Sequence, residues 1–385
     1  MNATEAADAA ILAARPQLVT LSRDVHAHPE LNFEEFFSSN RVAEALEARG
    51  FTVERGAFGL ETAFRATFGT GDFVVAICAE YDALPHVGHA CGHNVIASSS
   101  VGAAIGLAQV AADLEMTILV LGTPAEEGGG GKILMAEQGA FADAHLAMMV
   151  HPWSSERLEA TCLAVDHFDV TFSGHEAHAS GAPWKGVNAA DAMVIAQVAI
   201  GLLRQQLPPG HQVHGIVTNG GAAPNVIPGT VTGRFMCRTG HLDELAGLTE
   251  RVRACFSAGA LATGATVSFE ELCPIYSHME SDPELLQSYR RHAEALGRHF
   301  TEDDEGLPKP TLSTDMANIS LLVPTIHPLM KIEAGGASNH QFDFAAACIT
   351  ESADLAITDA ARAMAATAIE VASTPAWRAK LLAKP

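Results

Sequence analysis

The stretch 79–94 concentrates side chains that are able to bind a metal ion. Its sequence is AEYDALPHVGHACGHN, and its potential donors are Glu80, Asp82, His86, His89, Cys91 and His93. Carboxylate, imidazole and thiolate groups are the ligands of zinc and similar borderline metals. An isolated His or Cys is more often an ordinary core or loop residue, but this many donors behind one apolar segment favour a metal site.

Two later segments place similar side chains directly after apolar runs. Residues 115–121 lead into Glu126 and Glu127, and residues 145–150 lead into His151. Adjacent side chains of an extended segment point in opposite directions. One glutamate of the pair could therefore bind a metal ion while its neighbour faces a substrate water.

This combination of groups suits hydrolysis. Two metal ions can share a bridging water, lower its pKa and stabilise a tetrahedral intermediate. The reaction also needs a base that accepts the proton of the water and later protonates the leaving amine. A carboxylate beside the metal ligands would serve as that base.

The elements that position these groups follow a repeated pattern. Apolar runs at 73–78, 115–121 and 145–150 read as buried strands, each followed by polar residues, and helices are expected over 95–112 and 133–138. Strands that alternate with helices predict a doubly wound sheet with its site along the carboxyl edge. Further elements expected in this part of the chain are helices over 4–28, 32–50, 285–300 and 349–371 and a strand over 319–323.

The pattern of expected strands and helices changes near residue 164. The order strand, helix, strand, strand, helix, strand then predicts a small α+β sandwich. Its expected strands are 166–172, 212–219, 230–237 and 265–270, and its expected helices are 188–206 and 242–257. We therefore expect an α/β protein with a mixed, doubly wound catalytic metal-binding domain at 1–163 and 277–385. An α+β sandwich domain is inserted at 164–276, and we call it the lid.

Composition excludes several other functions. The chain has 385 residues, of which 48% are hydrophobic, and its formal net charge of −22 argues against nucleic acid and anionic membrane surfaces as partners. Its seven scattered cysteines suggest no disulfide framework. With neither an export signal nor a membrane span apparent, we expect a cytoplasmic protein.

Several motifs together resemble a known family. They are Glu80-Tyr81-Asp82-Ala83-Leu84-Pro85, His89-Ala90-Cys91-Gly92-His93-Asn94, Pro124 to Gly130, Gly174 to Ser180, Asn225-Val226-Ile227-Pro228, Ser313-Thr314-Asp315-Met316 and Asn339-His340. The chain resembles the aminoacylase/carboxypeptidase G superfamily of dimetal peptidases over nearly its whole length. Within it, the chain is similar to hippurate and auxin-conjugate hydrolases, and further to the p-aminobenzoyl-glutamate hydrolase and Xaa-Arg dipeptidase group. It departs from hippurate-type enzymes at Glu80, where they usually carry Asp.

The resemblance implies a role for particular residues. The implied metal ligands are Cys91, His93, Glu127, His151 and His340, with Cys91 bridging two ions as a thiolate. The implied catalytic residues are Glu126 as general base, Asp82 as the carboxylate that orients a ligand, and His178 as the oxyanion donor that reaches across a dimer. The implied substrate contacts are Asn225, Arg238 and Gly336. The lid would form the interface of a homodimer or of a dimer of dimers.

The expected activity is hydrolysis of the amide bond of an N-acyl amino acid, an aryl-amide amino acid or a dipeptide. An alternative is hydrolytic removal of an amine or acyl group from a small aromatic or acylated amine at the same site. A more remote alternative is an inactive, metal-stabilised binding scaffold, because fold does not fix function. Zinc suits the implied ligands best, and manganese or cobalt would bind the same set.

Overall fold

The computed structural model describes residues 2–300 and 310–383, and the chain divides into two compact units. Unit 1 comprises Met1–Thr161 and Met279–Pro385, and unit 2 comprises Cys162–His278. Both units combine helices with β-sheet, which confirms the predicted mixed α/β class. Within the described residues, no helix has the length and apolar character needed to cross a membrane.

The elements are numbered along the chain. The helices are α1 (Ala3–Ala27), α2 (Phe36–Glu47), α3 (His93–Ala108), α4 (Gly131–Glu137), α5 (Ala189–Arg204), α6 (Leu242–Thr263), α7 (Pro283–Ala295), α8 (Met316–Ser320), α9 (Phe342–Ala347), α10 (Glu351–Ser373) and α11 (Pro375–Leu382). The strands are β1 (Thr52–Arg55), β2 (Phe64–Phe68), β3 (Phe73–Glu80), β4 (Met116–Thr123), β5 (Leu146–Met148), β6 (His151–Trp153), β7 (Thr161–Cys162), β8 (Ala164–Ser173), β9 (Ala177–His178), β10 (Gln212–Asn219), β11 (Val226–Ile227), β12 (Thr230–Thr239), β13 (Thr266–Glu271), β14 (Thr311–Leu312), β15 (Thr325–Ile326) and β16 (Leu329–Lys331).

A six-stranded mixed sheet forms the centre of unit 1, in the order β1-β2-β4-β3-β5-β15. Strand β3 runs parallel to both β4 and β5, and β15 runs parallel to β5. The apolar sequences of β3 and β4 match this central position, since strands covered on both faces read as continuous hydrophobic runs. Because β3, β4, β5 and β15 are parallel to one another, their carboxyl ends lie along one edge of the sheet.

Local signals in the sequence define where several helices begin. Asn2 and Glu5 form a capping box at α1, with Glu5 N donating to Asn2 Oδ1 over 2.8 Å. Asp282 caps α7, whose first residue is Pro283. Proline suits that position because the first backbone N–H groups of a helix have no partner inside it.

Helix α3 is buried along nearly its whole length and packs against α1 and α10. Its small residues make this close approach feasible. A Cβ atom added at Gly102 would lie 2.8 Å from Ala361 Cβ and 2.9 Å from Leu18 Cδ1. The helix that begins at His93 is therefore held rigidly on one face of the sheet.

Unit 2 contains a four-stranded antiparallel sheet in the order β10-β12-β8-β13. Helices α5 and α6 pack against each other and against this sheet. The core between them includes the buried rings of Phe168, Phe235 and Phe256. Strand β10 lies at one edge of the sheet, with one side of its backbone unpaired within the sheet.

Two predicted elements need correction. The expected strand over 319–323 is wrong, because residues Met316–Ser320 form helix α8 and the strand at this place is the short Thr325–Ile326. The helix expected from residue 32 begins only at Phe36. The preceding residues form a loop in which the Glu35 carboxylate accepts hydrogen bonds from Ala125 N (2.9 Å) and from other groups.

Candidate metal centre and active site

Asp82 positions two side chains of the predicted site at once. The Nδ1 of His93 donates to Asp82 Oδ1 over 2.9 Å, and the backbone N–H of Glu127 donates to Asp82 Oδ2 over 3.0 Å. A proton on Nδ1 leaves the lone pair on Nε2 of His93, the arrangement seen in carboxylate–histidine–metal sites. Asp82 therefore links the loop after β3 to the segment after β4.

Gly92 allows His93 to occupy the first turn of α3. Its φ angle is +84°, a conformation that favours glycine. A Cβ atom at this position would also lie 2.4 Å from Pro152 Cγ. The backbone of this loop thus passes directly against the segment that carries His151.

His151 and Cys91 meet in the same buried space. The Nδ1 of His151 donates to the carbonyl oxygen of Pro152 over 2.8 Å, and its Nε2 lies 3.4 Å from Cys91 Sγ. Burial and the nearby His327 lower the pKa of His151 to about 3. A neutral imidazole with its Nε2 lone pair facing a sulfur atom is the form that binds metals.

Glu127 and His340 also lie close to Cys91, and they form a second set of donors with it. Glu127 Oε2 lies 3.6 Å from His340 Nε2. The backbone N–H of His340 donates to the carbonyl oxygen of Ala90 over 2.9 Å. This hydrogen bond attaches the segment that carries His340 to the loop that carries Cys91. Asn339 lies beside it, with its Nδ2 3.4 Å from the Cys91 carbonyl oxygen.

These side chains form two potential metal-binding groups that share Cys91. The groups are Cys91, His93 and His151, and Cys91, Glu127 and His340, with the ligand atoms of each group within 4.8 Å of one another. Buried polar atoms in the described part of the chain that have no hydrogen-bond partner include His93 Nε2 and Glu127 Oε1. Buried polar groups normally have partners, so these atoms fit a site built for cations.

Electrostatics favour a cation at this place. Burial opposes a charge on His93, but its neighbours, chiefly Asp82, raise its pKa well above the usual value. Burial and the charge of Glu127 raise the pKa of the Cys91 thiol, so a thiolate there needs a positive ion beside it. The structure therefore concentrates negative charge where the donor atoms converge.

Glu126 lies in the same buried cluster. Its Oε2 is 3.7 Å from His93 Nε2. Burial and the charges of Glu80 and Glu127 raise the pKa of Glu126 well above its usual value. A carboxylate with a raised proton affinity is suited to accept a proton.

Three buried residues beside this cluster had no role predicted from the sequence. His327 follows β15, and its ring centroid is 5.6 Å from that of His151. Lys132 and Asp315 form a buried ion pair, with 2.7 Å between Nζ and Oδ1. The position of His327 directly after a strand could have indicated that it lies near the site, because β15 ends at the same sheet edge as β5. No spacing in the sequence indicated the pairing of Lys132 with Asp315.

The other two histidines of the motif stretch, His86 and His89, lie in the loop before α3. His86 is exposed and has a φ angle of +69°. His89 is buried, with its ring centroid 6.0 Å from that of His26, and burial lowers its pKa to about 3. Neither belongs to a group of donors that could hold a metal ion among the residues described.

Two of the predicted site residues in unit 2 lie side by side. His178 on β9 pairs with Val226 on β11, and Ala179 N donates to the Asn225 carbonyl oxygen over 3.0 Å. The Nδ1 of His178 accepts from the backbone N–H of Gly181 over 3.0 Å. The proton of a neutral ring is then on Nε2, which makes His178 a hydrogen-bond donor at its exposed tip.

Arg238 and Gly336 lie elsewhere. Arg238 is half-buried near the end of β12, whereas Thr230, at the start of that strand, adjoins the β9–β11 pair. Eight strand residues correspond to roughly 25 Å, so unit 2 does not bring Arg238 together with His178. Gly336 lies in unit 1 in the exposed loop before His340, with a φ angle of +92°.

Comparison with known proteins identifies relatives of this chain. Residues 165–263 match the peptidase dimerisation domain family. The Xaa-Arg dipeptidase of Mus musculus is 39% identical over 378 residues, which cover 94% of this chain and 87% of the relative. A p-aminobenzoyl-glutamate hydrolase subunit of Escherichia coli strain K12 is 32% identical over 292 residues, which cover 70% of this chain and 61% of the relative.

A solved structure shares the fold. The dinuclear metal-binding M20 peptidase of Bacillus subtilis aligns with a TM-score of 0.69 and 23% identity, covering 94% of this chain and 99% of that one. The chain belongs to the M20 peptidase family, and it is a hydrolase that acts on carbon–nitrogen bonds. The resemblance drawn from the motifs is thereby confirmed.

Proposed function

We propose that the chain is a metal-dependent amidohydrolase that releases an amino acid from an N-acyl amino acid, an aryl-amide amino acid or a dipeptide. The observation that carries this proposal is the pair of potential metal-binding groups joined at Cys91. Two divalent cations, with zinc the best match to thiolate and imidazole ligands, would occupy these groups. The names of the relatives support the substrate class, since one acts on Xaa-Arg dipeptides and another on p-aminobenzoyl-glutamate.

The chemistry then follows from the residues. Cations held by these residues would polarise the amide carbonyl and lower the pKa of the attacking water. Glu126 accepts one proton from this water as the oxygen–carbon bond forms, and it donates that proton to the nitrogen as the carbon–nitrogen bond breaks. Asp82 keeps His93 in the tautomer that binds metal through Nε2.

Unit 2 would supply the contacts to the substrate. The Nε2–H of His178 suits donation to the oxyanion, and Asn225 is its neighbour. The guanidinium of Arg238 suits the binding of a terminal carboxylate of the substrate through two parallel hydrogen bonds. Gly336, which has no side chain, would leave space beside the substrate. The separation of Arg238 from His178 supports a homodimer in which a second copy of the chain supplies His178 and Asn225 to each site.

A substrate panel tests this proposal. The purified protein, first stripped of metal and then reloaded with zinc, manganese or cobalt, is incubated with N-acyl amino acids, dipeptides including Xaa-Arg, p-aminobenzoyl-glutamate and amine-bearing aromatics. We expect metal-dependent release of a free amino acid. Release of ammonia without an amino acid would favour the deaminase alternative, and inactivity with every metal would favour the scaffold.

The adjacent glutamates give a matched pair of variants. Glu126→Gln should retain bound metal and lower kcat by about 100- to 10,000-fold, because the proton acceptor is removed. Glu127→Gln should lose metal as well as activity, because a proposed ligand is removed. Metal content by elemental analysis and kcat are measured together. Full activity in Glu126→Gln would exclude Glu126 as the base.

A further inference from the structure

Glu80 is held by a buried ion-pair chain that the hydrolysis scheme above does not use. Lys132 is completely buried, and its Nζ lies 2.5 Å from Glu80 Oε1 and 2.7 Å from Asp315 Oδ1. The backbone N–H of Lys132 donates to Asp315 Oδ2 over 2.9 Å. Both oxygens of Asp315 are therefore committed to Lys132, and Lys132 in turn fixes one oxygen of Glu80.

The second oxygen of Glu80 faces the potential metal centre. Glu80 Oε2 is buried, has no hydrogen-bond partner, and lies 3.4 Å from the Nε2 of His93, which also has no hydrogen-bond partner. Glu80, His93 and Glu126 form a third group whose ligand atoms lie within 4.8 Å of one another. Two such atoms, both buried and facing each other, are the arrangement expected of groups that share a cation.

Charge leads to the same conclusion. Lys132 carries one positive charge and contacts two carboxylates, so the chain of three residues has a net charge of −1 when all are ionised. The carboxylate nearer to the centre is Glu80, and the unneutralised charge therefore lies beside His93. A simple structural ion pair between Lys132 and Asp315 would not need a second carboxylate whose free oxygen is directed at His93 Nε2.

We propose that Glu80 is an additional metal ligand, oriented by Lys132 and Asp315, that donates Oε2 to the cation bound by His93. This inference rests on the proposed metal centre and adds a carboxylate to the ligands assigned to it. Lys132 and Asp315 are positioning residues in this arrangement, because they act through Glu80. The extra carboxylate would favour divalent cations that prefer oxygen ligands more than Cys91 and the histidines alone would.

Metal binding, measured without turnover, tests the proposal. Metal-stripped wild type and Glu80→Gln are titrated with Zn²⁺ against a competing chelator, and both are loaded with Co²⁺ for visible absorption spectroscopy. Lys132 keeps Asp315 as a partner in this variant. We expect one of the two ions to bind about 10- to 100-fold more weakly and the cobalt bands of that site to change.

Glu156→Gln is the matched control. Glu156 is also a buried carboxylate of unit 1, and its Oε1 lies 3.2 Å from the guanidinium of Arg298. Its substitution removes a buried ionic contact and should leave zinc affinity and the cobalt spectrum unchanged. Should Glu80→Gln fail to fold, Glu80→Asp keeps the charge, withdraws the oxygen from His93 and should weaken the same ion.

The outcomes separate this inference from the proposed function. Wild-type affinity and an unchanged cobalt spectrum in a folded Glu80 variant, with only a lower melting temperature, would overturn the inference and leave a structural ion pair. A wild-type protein that binds no divalent metal would overturn the metal centre itself. Loss of one ion in the Glu80 variant but not in Glu156→Gln would support Glu80 as a ligand.

Discussion

The carboxylate of Asp82 connects site residues that follow two different strands, β3 and β4, through its two oxygens. One oxygen fixes the tautomer of His93, and the other holds the backbone of Glu127. Glu35 acts similarly at the neighbouring loop, where its carboxylate accepts from Ala125 N, directly before Glu126. Buried carboxylates thus set the geometry here as well as the charge.

The role proposed for Arg238 can be tested by substrate chemistry. Arg238→Ala should raise KM by about 10- to 100-fold for substrates with a free carboxylate, because a charge-assisted hydrogen bond is lost. Esterified substrates should be affected much less. Steady-state kinetics on each acid and its methyl ester measure the difference.

Arg234, on the same strand, provides the control. Its guanidinium already makes two hydrogen bonds to Asp169, at 2.8 and 2.9 Å. Arg234→Ala should therefore leave both KM values near those of the wild type. Equal effects of Arg238→Ala on acids and esters would assign Arg238 another role.

At the scale of elements, helix α3 shows how small side chains position the site. His93 is its first residue, and the helix is enclosed by α1 and α10. Alanine, serine and glycine dominate its sequence, which lets neighbouring helices approach closely. Any shift of α3 would move His93 relative to Asp82 and Cys91.

Gly102→Ala tests this packing. The new methyl group would lie within 3 Å of atoms of both Ala361 and Leu18. Overpacking costs about 1–3 kcal/mol, which exceeds the roughly 1 kcal/mol that alanine gains over glycine inside a helix. We expect a net loss of about 1 kcal/mol of stability, measured by denaturant unfolding.

Gly247→Ala is the matched control, since an added Cβ atom at this exposed position of α6 has no neighbour within 4 Å. It should stabilise unit 2 by up to about 1 kcal/mol, the opposite sign. Stabilisation by Gly102→Ala as well would mean that packing around α3 is looser than the distances indicate.

The long, strongly patterned elements could be predicted from sequence, and the short ones could not. The apolar runs of β3 and β4 and the large amphipathic or small-residue helices were recognised because burial dictates their composition. The run 319–323 was misread, because a short apolar segment has no periodicity that separates a strand from a buried helix. Helix α8 ends within this run, at Ser320, and the two-residue strand β15 begins only at Thr325.

The site could be predicted as a set of residue types but not as a network. Donors that follow buried strands were recognisable, since parallel strands bring their ends to one edge. The partner of Lys132 lies 183 residues away, at Asp315. Nothing in spacing or composition indicates such a pairing, and the orientation of Glu80 depends on it.

At the scale of the whole molecule, unit 2 exposes large apolar side chains on α5 and on its edge strand β10. The exposed fractions are 58% for Val198 and 70% for Leu202 on α5, and 64% for Ile216 on β10. Exposed apolar patches and long edge strands are typical of association surfaces. Together with the dimerisation-domain match, these exposed side chains support association through unit 2.

Leu202→Asp should weaken the proposed homodimer, because it places a charge on the exposed apolar part of α5. Light scattering after size-exclusion chromatography should show a shift towards monomer, and activity should fall with it. Leu12→Asp, at a 49% exposed position of α1, is the control and should remain dimeric. A dimeric Leu202→Asp protein would place the interface elsewhere.

The division of unit 1 into two sequence segments has a consequence for synthesis of the chain. Residues 1–161 leave the ribosome before β15, α10 and His340 exist, and all of unit 2 is made in between. At the usual elongation rates this interval lasts on the order of ten seconds. During it, α3 lacks the cover of α10, and Cys91 and Glu127 lack His340. The nascent chain is therefore exposed to aggregation and chaperone capture, and the proposed metal centre stays incomplete until the segment with His340 folds into place.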